Sequence, residues 1–157
     1  MGNSNNILLT RIDNRLIHGQ VVGEWAGTLG ANLLVVVDDE VANDEVEKNV
    51  MKIAANALGM GARFFTVQHT IDIISKASSS QKILLICKTP KTVRRLIEGG
   101  VHIDKVNIGN MHYSEGKKSI GNKAYVDEDD LKNLEFIKSK VKEIYVQDLP
   151  SLKREEF

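Results

Sequence analysis

The sequence predicts an α/β fold: an open, mostly parallel twisted sheet with helices on both faces. Two observations carry that prediction. Short apolar runs rich in β-branched residues alternate with helical patterns through at least four units, the rhythm of parallel crossovers. The composition is that of an ordinary globular chain, 42% hydrophobic and 27% charged over 157 residues, which suits one domain over residues 1–157.

The first strand is expected over residues 6–12, carrying the apolar run Ile7, Leu8, Leu9. A polar loop follows, and then a helix with Val21, Val22, Trp25, Ala26 and Leu29 at three-to-four-residue spacing, ending near Gly27 to Gly30. Trp25 is expected in the core. The β-branched run 33–37 reads as a buried parallel strand that stops at Asp38, Asp39 and Glu40. Asn43 or Asp44 caps a second helix, with Val46, Val50, Ile53, Ala54 and Ala57 as its inward face and Gly59 and Gly61 at its end. Residues 62–67 form a third strand, and residues 68–77 a third helix with Ile71, Ile74 and Ala77 inward. A fourth strand, 82–87, leads to Thr89 and Pro90. These cap and open a helix with Val93, Leu96 and Ile97 on its core face and Gly99-Gly100 as its stop. A fifth strand covers 106–108. The alternation then breaks: residues 109–123 read as a loop or hairpin, and 124–126 as a short strand. Asp127 caps a helix bearing Leu131, Leu134 and Ile137. A last strand covers 142–146, and residues 149–157 are a tail.

Chemistry concentrates where the first strand meets the first helix, in Arg11, Asp13, Asn14, Arg15 and His18. Such a loop opens at the carboxyl end of a parallel sheet, where α/β proteins place ligands. A helix start adds free N–H groups and partial positive charge. Two guanidinium forks make the site suited to an anion with several oxygens, most simply a phosphoryl group. Imidazole, with an ordinary pKa near 6.5, is a usable nucleophile at neutral pH. Asp13 would orient that ring or brace an arginine.

The run Arg11-Ile12-Asp13-Asn14-Arg15-Leu16-Ile17-His18-Gly19-Gln20-Val21 resembles the signature of the IIB subunits of the mannose/fructose/sorbose family of the bacterial sugar phosphotransferase system. The resemblance extends from about Ile7 to about Leu152. It departs at Asn14, where many members carry a second acidic residue. It implies a mostly parallel sheet with an antiparallel edge strand. It further implies that His18 takes a phosphoryl group on Nδ1 from a phosphohistidine of a IIA protein. The group then passes to a sugar held by membrane IIC and IID subunits, with Arg11 and Arg15 on the phosphoryl oxygens and Asp13 and Asn14 orienting. The partners implied are phosphorylated IIA, the permease and its sugar; no cofactor or metal is implied. The stretches 81–90 and 109–113 look most like members assigned to N-acetylgalactosamine or galactosamine. The implied location is cytoplasmic, against the membrane permease.

Neighbouring strand ends would supply the rim: Asp39 after the second strand, Lys88 and Thr89 after the fourth, and Asn110 and His112 after the fifth. His112 is the one rival to His18 as phosphate carrier. His69 and His102 are expected to be exposed, and four scattered histidines give no metal-ligand spacing.

Lys+Arg 21 against Asp+Glu 21 gives a formal net charge of +0, so no global basic field attracts nucleic acid. Cys87 is the single cysteine, which excludes an internal disulfide and agrees with a reducing compartment. It ends an apolar run and is expected to be buried, not phosphorylated. Residues 1–6 are polar and carry no apolar signal core, and the apolar runs are far shorter than the roughly 20 residues of a membrane span. Two other functions compete. A histidine phosphatase or mutase would place arginine directly before His-Gly, where Ile17 stands. A nucleotide- or effector-binding module would show a Gly-x-Gly-x-x-Gly or Walker A run, and neither is present.

Overall fold

The computed structural model describes residues 6–157; the polar segment 1–5 lies outside the described residues. The chain runs β1 (Ile7–Asp13), α1 (Gly19–Leu29), β2 (Leu33–Val37), α2 (Glu45–Ala57), β3 (Gly61–Phe65), α3 (Val67–Ile73), β4 (Ile83–Cys87) and α4 (Pro90–Glu98). It continues through β5 (Lys105–Asn110), β6 (Lys118–Gly121), β7 (Ala124–Val126), α5 (Glu128–Lys138), β8 (Glu143–Val146) and β9 (Glu155–Glu156).

Seven strands form one sheet in the order β3-β2-β4-β1-β5-β8-β9. Every pairing within it is parallel except β8 with β9, which is antiparallel. The expected open parallel sheet with a reversed edge strand is therefore present. That edge strand lies inside residues 149–157, read from sequence as a tail. β6 and β7 form a separate antiparallel hairpin, resolving the loop-or-hairpin ambiguity of residues 109–123.

Alternation along the central strands builds two cores. Leu34, Val36, Leu84 and Ile86 face α1 and α2, packing on Val22, Trp25, Ala26, Met51 and Ala55. Leu33, Val35, Val37, Ile83, Leu85 and Cys87 face α3, α4 and α5, packing on Val67, Val93, Leu96, Leu134 and Ile137. Both faces of β2 and β4 are covered, which is why these runs are continuously apolar. Each fully buried aliphatic there contributes about 1.5–3 kcal/mol. Among the described residues no helix is long and apolar enough to cross a membrane.

The helix starts follow the sequence signals. Asp44 accepts from Val46 and Glu47, Thr66 from His69, and Thr89 from Thr92 with Pro90 in the first turn. Asp127 and Asp130 form a reciprocal capping box. Val67, expected to end the third strand, is instead the first residue of α3, because Thr66 is an effective cap.

Of the expected inward face of α2, Ala54 is half-buried against the core, but the other four residues are exposed. Val46, Val50 and Ile53 are 74%, 63% and 72% exposed, whereas Met51 and Ala55 are buried. Two apolar stripes at helical spacing compete on this helix. The one carrying Met51 and Ala55 packs on the sheet, leaving the branched stripe in solvent.

β1 sits between β4 and β5. Its following helix goes to one face of the sheet, and the helix after β4 goes to the other. That divergence opens a crevice at the carboxyl ends of β1 and β4, the position where an open α/β sheet accepts a ligand.

Candidate functional site

Five residues, Asn14 to His18, link β1 to α1. The chain turns at once: Leu16 N–H donates to the Asp13 carbonyl at 3.0 Å. Leu16 adopts a left-handed φ of 60°, and Gly19 a φ of 42°. Left-handed backbone at a leucine costs on the order of 1–2 kcal/mol. Burial of the Leu16 side chain in the α1/α2 core returns about as much. Leu16 and Ile17 thus point inward, and His18 is carried to the surface.

His18 is the N-cap residue of α1 but makes no side-chain cap bond, and no acidic residue occupies the first turn. The first N–H groups of α1 therefore have no side-chain acceptor, and the positive end of the helix is uncompensated. Among the described residues the imidazole makes no hydrogen bond or ion pair. It is a free ring in solvent at an anion-attracting helix start.

Behind it lies a charged cluster. Asp13, fully buried, accepts from the Arg15 backbone N–H at 2.9 Å and grips the guanidinium at two points, Nε and Nη2, each 3.0 Å away. This fork holds Arg15 beside its own turn while leaving it 22% exposed. Among the described residues Nη1 of Arg15 has no protein partner, so it stays available as a donor. Donating to the Asp13 carboxylate raises the pKa of Arg15 above its ordinary value.

Arg11 requires a correction. Its guanidinium does not face solvent as a phosphoryl ligand must; it is 0% exposed. Nη1 donates to Asn107 Oδ1 at 2.6 Å and to the Gln147 carbonyl at 3.3 Å; Nη2 donates to Asp13 at 3.0 Å and Asp148 at 3.3 Å. The Trp25 ring lies 5.4 Å from its central carbon. Burial lowers the pKa of Arg11 from its ordinary value against the opposing pull of Asp13, and a guanidinium stays charged regardless. Arg11 is the buried brace that fixes Asp13, and Asp13 in turn fixes Arg15.

Asn14 ties the loop to its neighbours. Its N–H donates to the Asn110 carbonyl at 3.0 Å. Its side-chain oxygen accepts from the His112 N–H at 2.6 Å, and its amide reaches the Lys88 carbonyl at 3.5 Å. The ends of β1, β4 and β5 are thus stitched together at one edge. Lys88, Asn110 and His112 lie beside the His18 loop as expected. Asn110 Nδ2 is buried without a partner, and the His112 side chain is exposed.

Two expected rim residues are spent elsewhere. Asp39 accepts from the Val67 N–H at 2.9 Å and pairs with Arg95 at 3.0 Å, so it braces α3 and α4. The Val67 bond, with Arg95, holds its carboxyl below the ordinary carboxylate range. Thr89 caps α4. Cys87 is buried, and burial pushes its thiol well above the ordinary range. Among the described residues no three His, Cys, Asp or Glu side chains gather as metal ligands.

Sequence reasoning missed Asn107, Gln147, Asp148, Lys123 and the reason for Gly109. Asp148 takes Arg11 and Arg15 on one oxygen and Lys123 on the other, at 3.4 Å; its carbonyl accepts the Trp25 indole N–H at 2.9 Å. A Cβ at Gly109 would overlap the guanidinium carbon and both terminal nitrogens of Arg11, so only glycine lets β5 pass beside that group.

Residues 7–157 match the family described as PTS system sorbose subfamily IIB component. The chain is 57% identical over 153 residues to the N-acetylgalactosamine-specific phosphotransferase enzyme IIB component 1 of Escherichia coli K12, covering 98% of this chain and 97% of that one. It is 47% identical over 146 residues to the corresponding component 2 of the same strain, covering 93% and 92%. The crystal structure of the PTS system N-acetylgalactosamine-specific IIB component 1 from Escherichia coli matches with a TM-score of 0.93 at 56% identity, over 96% of this chain and 99% of that one. On sequence, length and fold alike, the chain belongs to the sorbose-subfamily IIB components of the sugar phosphotransferase system.

Proposed function

We propose that His18 is the phosphoryl carrier of this IIB component. The observation that carries the proposal is an exposed, unpaired imidazole at an uncapped helix start, three residues after an arginine clamped by Asp13. Nδ1 of His18 attacks the phosphorus of a phosphohistidine on a IIA protein. The donor nitrogen–phosphorus bond breaks as the new one forms, and the donor imidazole leaves. A sugar hydroxyl presented by membrane IIC and IID subunits then attacks that phosphorus: the oxygen–phosphorus bond forms as the His18 nitrogen–phosphorus bond breaks, the hydroxyl proton is released to solvent, and the His18 imidazole is regenerated.

Phosphoryl transfer proceeds through a loose transition state with charge spread over three equatorial oxygens. Catalysis is then positioning and charge stabilisation. Arg15 and the first N–H groups of α1 supply the donors, Arg11 and Asp13 hold Arg15 in place, and Asn14 fixes the loop against β4 and β5. Transfer from one imidazole to another exchanges like bonds, so it is close to balanced in energy. Of the two sugars the sequence suggested, N-acetylgalactosamine is the one supported by the names of the two Escherichia coli relatives described above. The setting is the cytoplasmic face of the permease.

The test uses purified phospho-IIA as donor. His18→Ala should take up no phosphoryl group while its far-ultraviolet dichroism and unfolding midpoint stay those of the wild type. Undiminished labelling of that variant would move the carrier role to His112.

A further inference from the structure

We propose that Lys123, at the tip of the β6–β7 hairpin, is a second phosphoryl-binding cation of this site, exchanging Asp148 for the phosphoryl oxygens when His18 is loaded. The proposal rests on His18 as carrier and adds a group that the loop motif does not contain.

The hairpin tip is fixed next to the site. Met111 N–H donates to the Lys123 carbonyl at 3.1 Å, and Tyr125 N–H returns a bond to the Met111 carbonyl at 3.0 Å. The next residue, His112, is held by the Asn14 side chain in the His18 loop. The Lys123 backbone is therefore tied through two consecutive residues to the loop that carries the nucleophile. Its ammonium lies 3.4 Å from Asp148, whose other carboxylate oxygen faces Arg11 and Arg15. Lys123 and Arg15 touch the two oxygens of one carboxylate.

Charge and exposure give this arrangement its direction. Two buried carboxylates, Asp13 and Asp148, face three cations, Arg11, Arg15 and Lys123. The cluster carries one unbalanced positive charge, waiting for an anion. Arg11 is sealed in, and Arg15 is locked by a two-point fork. Lys123 is 60% exposed on a single long contact. An ammonium that is mostly in solvent and held by one long contact is readily exchanged. A phosphoryl dianion would draw the flexible ammonium, while Asp148 keeps its arginine partners.

Wild type, Lys123→Met, Lys123→Arg and Lys118→Met are compared with two donors, phosphoramidate and phospho-IIA. Lys118 is an exposed lysine of the same hairpin, so its variant removes equal charge. Lys123→Met should load His18 roughly tenfold more slowly with both donors, the size of one lost charge-assisted hydrogen bond. Lys123→Arg should recover most of the rate, and Lys118→Met should match the wild type. The ³¹P resonance of the loaded protein should shift in Lys123→Met alone. Equal rates in Lys123→Met and wild type would overturn the proposal, as would a loss confined to the protein donor, which marks a docking residue. A wild type that is not labelled at His18 would instead overturn the carrier role itself.

Discussion

Replacing Gly109 by alanine adds one methyl group and tests how rigidly the buried arginine is held. The new Cβ would overlap the Arg11 guanidinium, and β5 cannot retreat because β1 and β8 pair with it on either side. The guanidinium must therefore move. It holds four partners, two of them carboxylates. Losing two charge-assisted bonds would cost about 3–6 kcal/mol without relaxation, and overpacking of a core commonly settles near 1–3 kcal/mol after relaxation. A loss of about 3 kcal/mol is expected. Urea unfolding followed by the emission of Trp25, the single tryptophan, reads it directly, because that ring lies against Arg11. The same glycine change in an Arg11→Met background should cost less than about 1 kcal/mol, since the clashing group is gone. A cost below about 0.5 kcal/mol in the wild-type background, or equal costs in both, would refute the close-approach account.

Further outcomes follow from the same contacts. Arg15→Lys keeps the charge but cannot make the two-point fork with Asp13, so loading of His18 should slow by tenfold or more while stability changes little; an unchanged rate would relegate Arg15 to folding or docking. Asn14→Asp keeps the acceptor for the His112 N–H and should leave the loop in place, whereas Asn14→Ala should cost about 1 kcal/mol and slow loading, as read by unfolding and transfer assays. Val50→Ser should change stability by less than about 0.5 kcal/mol, while Met51→Ala on the buried face of α2 should cost about 2–5 kcal/mol. Asp39 has a folded-state pKa below its ordinary 3.8, so its contribution is complete above that pH and disappears as pH falls through the folded value. Asp39→Asn should therefore be less stable than wild type at neutral pH, and the gap should close in acid; a constant gap would exclude the charge as its origin.

Local chemistry explains what sequence conveyed. Asp44, Thr89 and Asp127 cap helices because a short acceptor side chain precedes an amphipathic run, and that signal is contained in four residues. The first loop was legible for the same reason, its turn, arginine fork and histidine lying within six residues. Arg11 was misassigned, although strand alternation held the correction: Leu9, Arg11 and Asp13 share a face of a central strand, so a side chain there is sealed beneath α1. Asp148 and Asn107 could not be found locally, because their bonds to Arg11 span 137 and 96 residues. They converge only once β5 is laid beside β1 and β8 beside β5. On α2 both apolar stripes have helical period, and the choice between them depends on the sheet beneath. The group that approaches Gly109 is the Arg11 guanidinium, and only the folded register identifies it.

The most direct measurement of the central claim is the position of the phosphoryl group. The protein would be incubated with phosphoenolpyruvate, the general phosphotransferase proteins and IIA, then digested at alkaline pH and mapped by mass spectrometry. A single phosphoryl group is predicted on the peptide containing His18, stable in alkali and lost in acid. A group on the His112 peptide, or one with the opposite lability, would contradict the account.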